Sequence, residues 1–283
     1  MRNKTKIRKG KGTKAKIANT RRFVLGPNSS FYLREAYKSL RTNTSFSLAD
    51  AEGCKVVVIT SSLQREGKSL TALNLAISLG QTHHKVLILD CDLRRPKLGR
   101  LLNCSAPAGI SNVLMNPSFL DVALIHNEEL GIDVILAGDI PPNPSELLSS
   151  NKMDKLLKEL RKTYDYIIID TPPVAVVTDA VVLAPLSDGV LFIVRANQSE
   201  RIAVMQAMEQ LDYAKAKVLG FVLNGIDSRD SASPYYRYRY SRYRGYSRYG
   251  YSYGYGYGGG YGYGHRPQTS PTHLQDQEGG ADD

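Results

Sequence analysis

Through the middle of the chain, short apolar runs alternate with longer stretches in which apolar residues recur every three or four positions. The runs are Val56 to Ile59, Val86 to Leu89, Tyr166 to Ile169, Val190 to Val194 and Val218 to Leu223. They are rich in β-branched residues and are not interrupted by polar ones, which predicts strands covered on both faces. A further strand is predicted at Ile132 to Leu136. Helical periodicity predicts helices over 69–80, about 145–162, 178–186 and 200–214. It predicts another from Ser30 to about Phe46, where Leu33, Ala36, Tyr37 and Leu40 have the spacing of one apolar face. Glu35, Lys38 and Arg41 recur along a neighbouring face, which suits a solvated, salt-bridged surface or a contact with another subunit. The alternation of strand and helix predicts an α/β domain with a mostly parallel sheet flanked by helices.

The link between the first strand and its helix carries the first chemistry. SSLQREGKS meets the pattern G-x-x-x-x-G-K-S/T at Gly67, Lys68 and Ser69, with Ser62 where the first glycine is usual. Backbone N–H groups and a helix start can cradle phosphates, Lys68 can reach the outer ones, and Ser69 can ligate Mg²⁺. Ser62, Glu66, Gly67, Lys68, Ser69 and Leu70 are the expected cradle. Two later strands run into acids, Asp90-Cys91-Asp92 and Asp170-Thr171-Pro172. In a parallel sheet these ends share an edge with the phosphate loop, so Asp90, Asp92 and Asp170 should converge on the nucleotide. Such carboxylates hold Mg²⁺ or accept a proton from an attacking hydroxyl. Cys91, between two of them, reads as a small space-filling residue.

The 283 residues, 42% hydrophobic, are enough for a buried core. No apolar run approaches the roughly 20 residues that span a bilayer, and the basic start lacks the apolar stretch of a signal peptide. Cys54, Cys91 and Cys104 lack metal-ligand spacing and cannot all pair, which fits a reduced, cytosolic setting. The net charge of +10 is unevenly placed. Residues 1–22 hold ten Lys or Arg and no acid, and 235–266 hold six Arg and no acid. Residues 267–283 hold four acids and no Lys or Arg. The stretch between the two basic segments is nearly neutral.

These contrasts predict a disordered basic arm over 1–26, a folded domain over 27–230 and a disordered tail over 231–283. The arm suits an anionic membrane surface, nucleic acid or simple solubility, and charge does not choose among them. In the tail, 13 of the 18 tyrosines fall between Tyr235 and Tyr263 among glycines and arginines. One reading is a segment that stacks on nucleic acid or on itself. The other is a row of phosphoacceptors, in which roughly three or four phosphates of about −1.5 to −2 each would cancel the arginines.

Taken together, the chain resembles the bacterial tyrosine kinases, P-loop kinases that regulate capsular and extracellular polysaccharide synthesis. EAYKSLRTN from Glu35, the phosphate loop, ILDCDLRRP ending at Pro96, PPNPSELL from Pro141, IIIDTPP from Ile167, VLNGID from Val222 and the tyrosine cluster carry the resemblance. H-R-D and D-F-G motifs are absent, which excludes the eukaryotic kinase type. The resemblance implies a P-loop NTPase-like fold, with ATP and Mg²⁺ as cofactors. Lys68 would bind the outer phosphates, Ser69 the metal, and Asp90 and Asp170 would act on the metal shell. Asp92 would be the base for the tyrosine hydroxyl, and Asn224 would line the adenine pocket. The phosphoacceptors would be Tyr235, Tyr236, Tyr238, Tyr240, Tyr243, Tyr246 and Tyr249, continuing through Tyr251, Tyr253, Tyr255, Tyr257, Tyr261 and Tyr263. Phosphorylation would occur in trans within a homo-oligomeric ring, with Glu35, Lys38 and Arg41 at the subunit contact.

The implied partners are a transmembrane activator, which would hold the chain at the inner face of the membrane, and a cognate tyrosine phosphatase. Nucleic acid has no part in that scheme. Two departures from the family pattern stand out. Gln64-Arg65 replaces a usual Pro-Gly, so Arg65 would be strained if that glycine took a positive φ. Lys38 replaces an arginine of the contact motif, which predicts a weaker ring. Two rivals are a partitioning or cell-division ATPase of the same fold, and a nucleotide-gated binding protein with an Arg/Tyr/Gly tail. The first carries an extra lysine where Leu63 stands here.

Overall fold

A computed structural model describes residues 23–226. Residues 1–22 of the basic arm and the whole tyrosine cluster lie outside the described residues. The elements run as α1 (Phe31–Ser47), β1 (Lys55–Ser61), α2 (Lys68–Gly80), β2 (Val86–Asp90), α3 (Leu98–Leu102), α4 (Ile110–Met115) and α5 (Leu120–Ala123). They continue as β3 (Leu124–Asn127), β4 (Ile132–Ile135), α6 (Pro144–Leu148), α7 (Asn151–Leu160), β5 (Tyr166–Asp170), α8 (Asp179–Leu183), β6 (Gly189–Arg195), α9 (Arg201–Tyr213) and β7 (Val218–Asn224). The seven-stranded sheet has the order β3-β4-β2-β5-β1-β6-β7. Every pairing is parallel except β3 with β4.

In β1, β2, β5 and β6 the continuous apolar runs are explained by two cores, one on each face of the sheet; the run Val218 to Leu223, expected to be covered on both faces, is not, because β7 is an edge strand on which Phe221 and Leu223 are exposed. Val56 and Val58 of β1 enter one cluster while Val57 and Ile59 enter the other. Successive side chains of a strand point to opposite faces, so a strand buried on both sides has no polar face to offer. α2 is buried along almost its whole length and closes the second cluster with Leu73, Leu75, Ile77 and Leu79.

α1 packs on the same side through Leu33, Tyr37 and Leu40, and is capped where Leu33 N–H donates to Ser30 Oγ. Ala36, expected on the buried face, is exposed. Arg41 reaches across and donates to Ser78 O of α2 at 2.5 Å. Carbonyls near a helix C-terminus favour a cation, so this contact ties the two helices.

The helix expected over 145–162 is broken into α6 and α7. Ser149 and Ser150 donate their hydroxyls to Glu146 O and Leu147 O, and Ser150 takes an extended backbone. Serines compete in this way with the helical ladder. The helix expected over 178–186 tightens to a 3₁₀ turn at Ala184–Leu186, where Pro185 has no N–H to give.

Candidate active site

β1 delivers the chain into the phosphate loop, and the loop is braced from within. Glu66 is fully buried; its carboxylate accepts from Ser62 Oγ at 2.9 Å, from Leu63 N at 2.7 Å and from the Ser199 hydroxyl. Ser62 and Glu66 thus hold each other, so both side chains brace the loop from within. Gly67 has φ +98°, and a Cβ there would lie 1.9 Å from Asn224 Nδ2. Asn224 donates to Glu66 O at 2.9 Å and accepts from Gly225 N at 2.8 Å. The end of β7 therefore props the loop. Arg65 does take a positive φ, 68°.

α2 begins at Lys68 with no side chain capping its N-terminus. Its first N–H groups and the positive end of its dipole remain available to an anion. Leu70 is half-buried in this first turn.

The three acids meet at the expected edge. Asp90 and Asp170 are register partners of β2 and β5. Asp90 accepts from the backbone N–H groups of Lys97 (3.1 Å), Leu98 (3.0 Å) and Asp92 (3.3 Å), so it anchors the start of α3. Asp92 accepts from Arg95 N at 3.0 Å and from Lys68 Nζ at 2.9 Å, a buried ion pair. Asp170 is fully buried with the Ser69 hydroxyl beside it, close enough to lower its pKa, yet neither group makes a hydrogen bond of normal geometry to the other or to anything else. Buried polar groups are ordinarily satisfied, so this pair fits a hard cation that brings its own waters and phosphate oxygens. Among the described residues no cluster of three His, Cys, Asp or Glu could hold a metal alone.

The electrostatics follow from burial. Desolvation, reinforced by Asp170, pushes the Asp90 carboxyl up to about 8. Desolvation raises Asp170 to about 6, with Lys68 pulling the other way. Burial alone would depress Lys68, but Asp170 and Asp92 outweigh it and hold the ammonium charged. Burial, aided by Lys68, lowers Lys97. Cys91 is completely buried, and desolvation and the flanking acids push its thiol up, which leaves it inert packing.

One contact of the site joins residues that nothing in the sequence brings together. Arg94 donates to buried Asp179 from Nε (3.2 Å) and from a terminal nitrogen (3.3 Å), and Ser145 Oγ also donates to Asp179. The bridge fastens the segment after β2 to α6 and α8. Arg94 and Ser145 lie in recognisable motifs, but nothing local marks Asp179.

The loop, the uncapped helix start and the strand-end acids define a P-loop nucleotide-binding domain, and the AAA domain family model matches residues 54–218. The tyrosine-protein kinase YwqD of Bacillus subtilis is 39% identical over 203 residues, which cover 71% of this chain and 85% of that protein. The kinase domain of the Escherichia coli tyrosine kinase ETK superposes with a TM-score of 0.67 at 33% identity, covering 79% of this chain and 80% of that one. The chimerical protein CapA2B2 gives 0.64 at 35% identity, covering 68% of this chain and 84% of that one. The chain belongs to the bacterial tyrosine-protein kinases.

Proposed function

We propose that this protein is an ATP- and Mg²⁺-dependent autokinase that phosphorylates its own tyrosine cluster in trans within a ring and so regulates capsular or extracellular polysaccharide synthesis. The observation that carries the reading is the pair of unsatisfied buried groups, Ser69 Oγ and the Asp170 carboxylate, beside Lys68 and at the start of α2. Ser69 and Asp170 would hold Mg²⁺, whose charge would offset that of the phosphates. Lys68 would contact the outer phosphates. In doing so it must give up Asp92, freeing that carboxylate to take the proton of an incoming tyrosine hydroxyl. Asp90, committed to three backbone N–H groups, keeps the segment bearing Asp92 in place. Transfer then rests on positioning and charge neutralisation.

Of the implied ring residues, Lys38 pairs with Glu35 at 2.7 Å on the surface, while Arg41 is held by Ser78. A ring contact would exchange the Glu35–Lys38 pair for one between subunits. No helix of the described residues is long and apolar enough to cross a membrane. The name of the CapA2B2 chimera points to fusion with a second component, and we assign membrane recruitment and activation to a separate transmembrane partner.

The test is phosphotyrosine formation by the purified chain with Mg²⁺ and ATP, with and without the partner's cytoplasmic tail, with Lys68→Met as control and sites located by mass spectrometry. Phosphate confined to 235–263, increased by the partner and absent from the control is expected. ATP hydrolysis without phosphotyrosine would move the reading to a switch ATPase. Salt-sensitive RNA binding that survives Lys68→Met, with no phosphotyrosine, would move it to a binding protein.

A further inference from the structure

Three aromatic side chains stand exposed where the basic arm joins the folded domain: Phe23, Phe31 and Tyr32. Phe31 and Tyr32 meet edge to face with ring centroids 5.9 Å apart, so they form one apolar knob on the first turn of α1. The junction is held in place. Leu25 is buried, and Asn74 of α2 commits its whole amide to this segment, accepting from Leu25 N at 2.8 Å and donating to Phe23 O at 2.8 Å. Ser29 closes the turn that follows, donating from N to Gly26 O at 3.0 Å and from its hydroxyl to Val24 O at 3.4 Å. Arg34 donates to Ser29 O at 2.7 Å and ties the turn to α1. Residues 1–34 hold eleven Lys or Arg and no acid, and the first acid, Glu35, is paired with Lys38.

α1 and α2 run side by side from the phosphate-loop edge of the sheet toward the edge where the strands begin. Tyr37 lies against Thr71 and Asn74, Arg41 reaches Ser78 O, and Ser45 Oγ lies 3.3 Å from Tyr166 Oη at the start of β5. The knob is therefore at the end of α1 nearer the phosphate loop. Phe46, also exposed, is at the other end, about 22 Å away along the helix. Between them the outward stripe reads Glu35, Lys38 and Thr42, with no apolar side chain to offer.

We propose that this corner docks directly on an anionic phospholipid surface. The arm supplies the charge, Phe23, Phe31 and Tyr32 enter the headgroup boundary, and the phosphate-loop end of the domain turns toward the membrane. A polybasic segment alone is released by salt, whereas aromatic side chains at headgroup depth add an apolar contribution that salt does not screen. The contact is with lipid itself and requires no protein partner. Nucleic acid would use the same cations, but bases stack on open ring faces, and an edge-to-face pair gives them no parallel platform. A second copy, paired symmetrically, would bring one positive corner against another.

The chain has no tryptophan, so Phe31→Trp places a single reporter in the full-length protein. Phosphatidylcholine vesicles containing phosphatidylserine should shift its emission to the blue, and lipids brominated along the acyl chains should quench it. Vesicles of phosphatidylcholine alone should do neither, and a Phe46→Trp reporter should stay unchanged with both. In flotation, Phe23→Ser/Phe31→Ser/Tyr32→Ser should need about tenfold more anionic lipid than wild type, a difference that persists at raised salt while total binding falls. An unchanged melting midpoint shows that this variant folds, and the Phe31→Trp reporter decides the matter if it does not. An unmoved reporter at position 31, an equal response from Phe46→Trp, or equal flotation of the folded triple variant would overturn the proposal. So would an emission change produced without vesicles, by single-stranded RNA or by raised protein concentration, which would make nucleic acid or a second copy the occupant.

Discussion

Arg65 holds a backbone conformation that glycine would take freely, and the cost falls on stability. Relieving a strained left-handed position is worth about 1 kcal/mol, so Arg65→Gly should raise the melting midpoint by about 3 °C. Calorimetry of the nucleotide-free chain checks this, and an unchanged midpoint would mean that the loop carries no strain at this residue. The buried acids give a pH dependence. Asp90 and Asp170 sit at about 8 and about 6 against a usual 3.8, so over this range the folded chain carries more protons than the unfolded one. Their contribution to stability is therefore lost as pH rises through that window. Urea midpoints measured between about pH 5 and 8.5 should fall less steeply for Asp170→Asn than for wild type, and identical slopes would contradict the assignment. Lys68, Ser69 and the strand-end acids were legible in the sequence because each belongs to a local motif. The Arg94–Asp179–Ser145 bridge was not, because its members lie in three separated segments and meet only through the fold.

At the scale of elements, the long strands and α1, α2 and α9 were legible because burial on one or both faces imposes an apolar period. The segment from α3 to β3 was not. Helices of four to six residues, such as α3, α4 and α5, are too short to display a period, and β3 is only partly buried. The break between α6 and α7 was hidden because its cause is two serine hydroxyls rather than a glycine or proline. α1 carries a prediction of its own. Lys38 offers a single ammonium where an arginine would offer a fork, so Lys38→Arg should strengthen self-association. Sedimentation velocity across a concentration series should show larger species at lower concentration than wild type. An unchanged profile would remove α1's Glu35 face from the contact.

For the whole molecule, the charge map sets the expectation. A nearly neutral folded domain lies between a basic arm and a basic tyrosine cluster, so partners that read charge should engage the ends. Deleting residues 1–22 should weaken binding to anionic vesicles, with the difference shrinking as salt rises. Equal flotation of both forms would leave the arm without a lipid role. The parallel sheet was legible as a class, since runs buried on both faces alternate with helices. Its strand order was not, and neither was the antiparallel edge formed by β3, because pairing partners are chosen by contacts between distant segments.

The ion pair between Lys68 and Asp92 also bears on how an inactive control is built. Replacing Lys68 by methionine removes a reactive group and strands a buried carboxylate without its counter-charge, a lesion of about 3–5 kcal/mol for a pair of this kind. The usual dead variant is therefore expected to be a weakened protein as well as a silent one. Lys68→Met combined with Asp92→Asn restores the local balance, and the difference in melting midpoint between the single and double variants measures how much of the damage is structural.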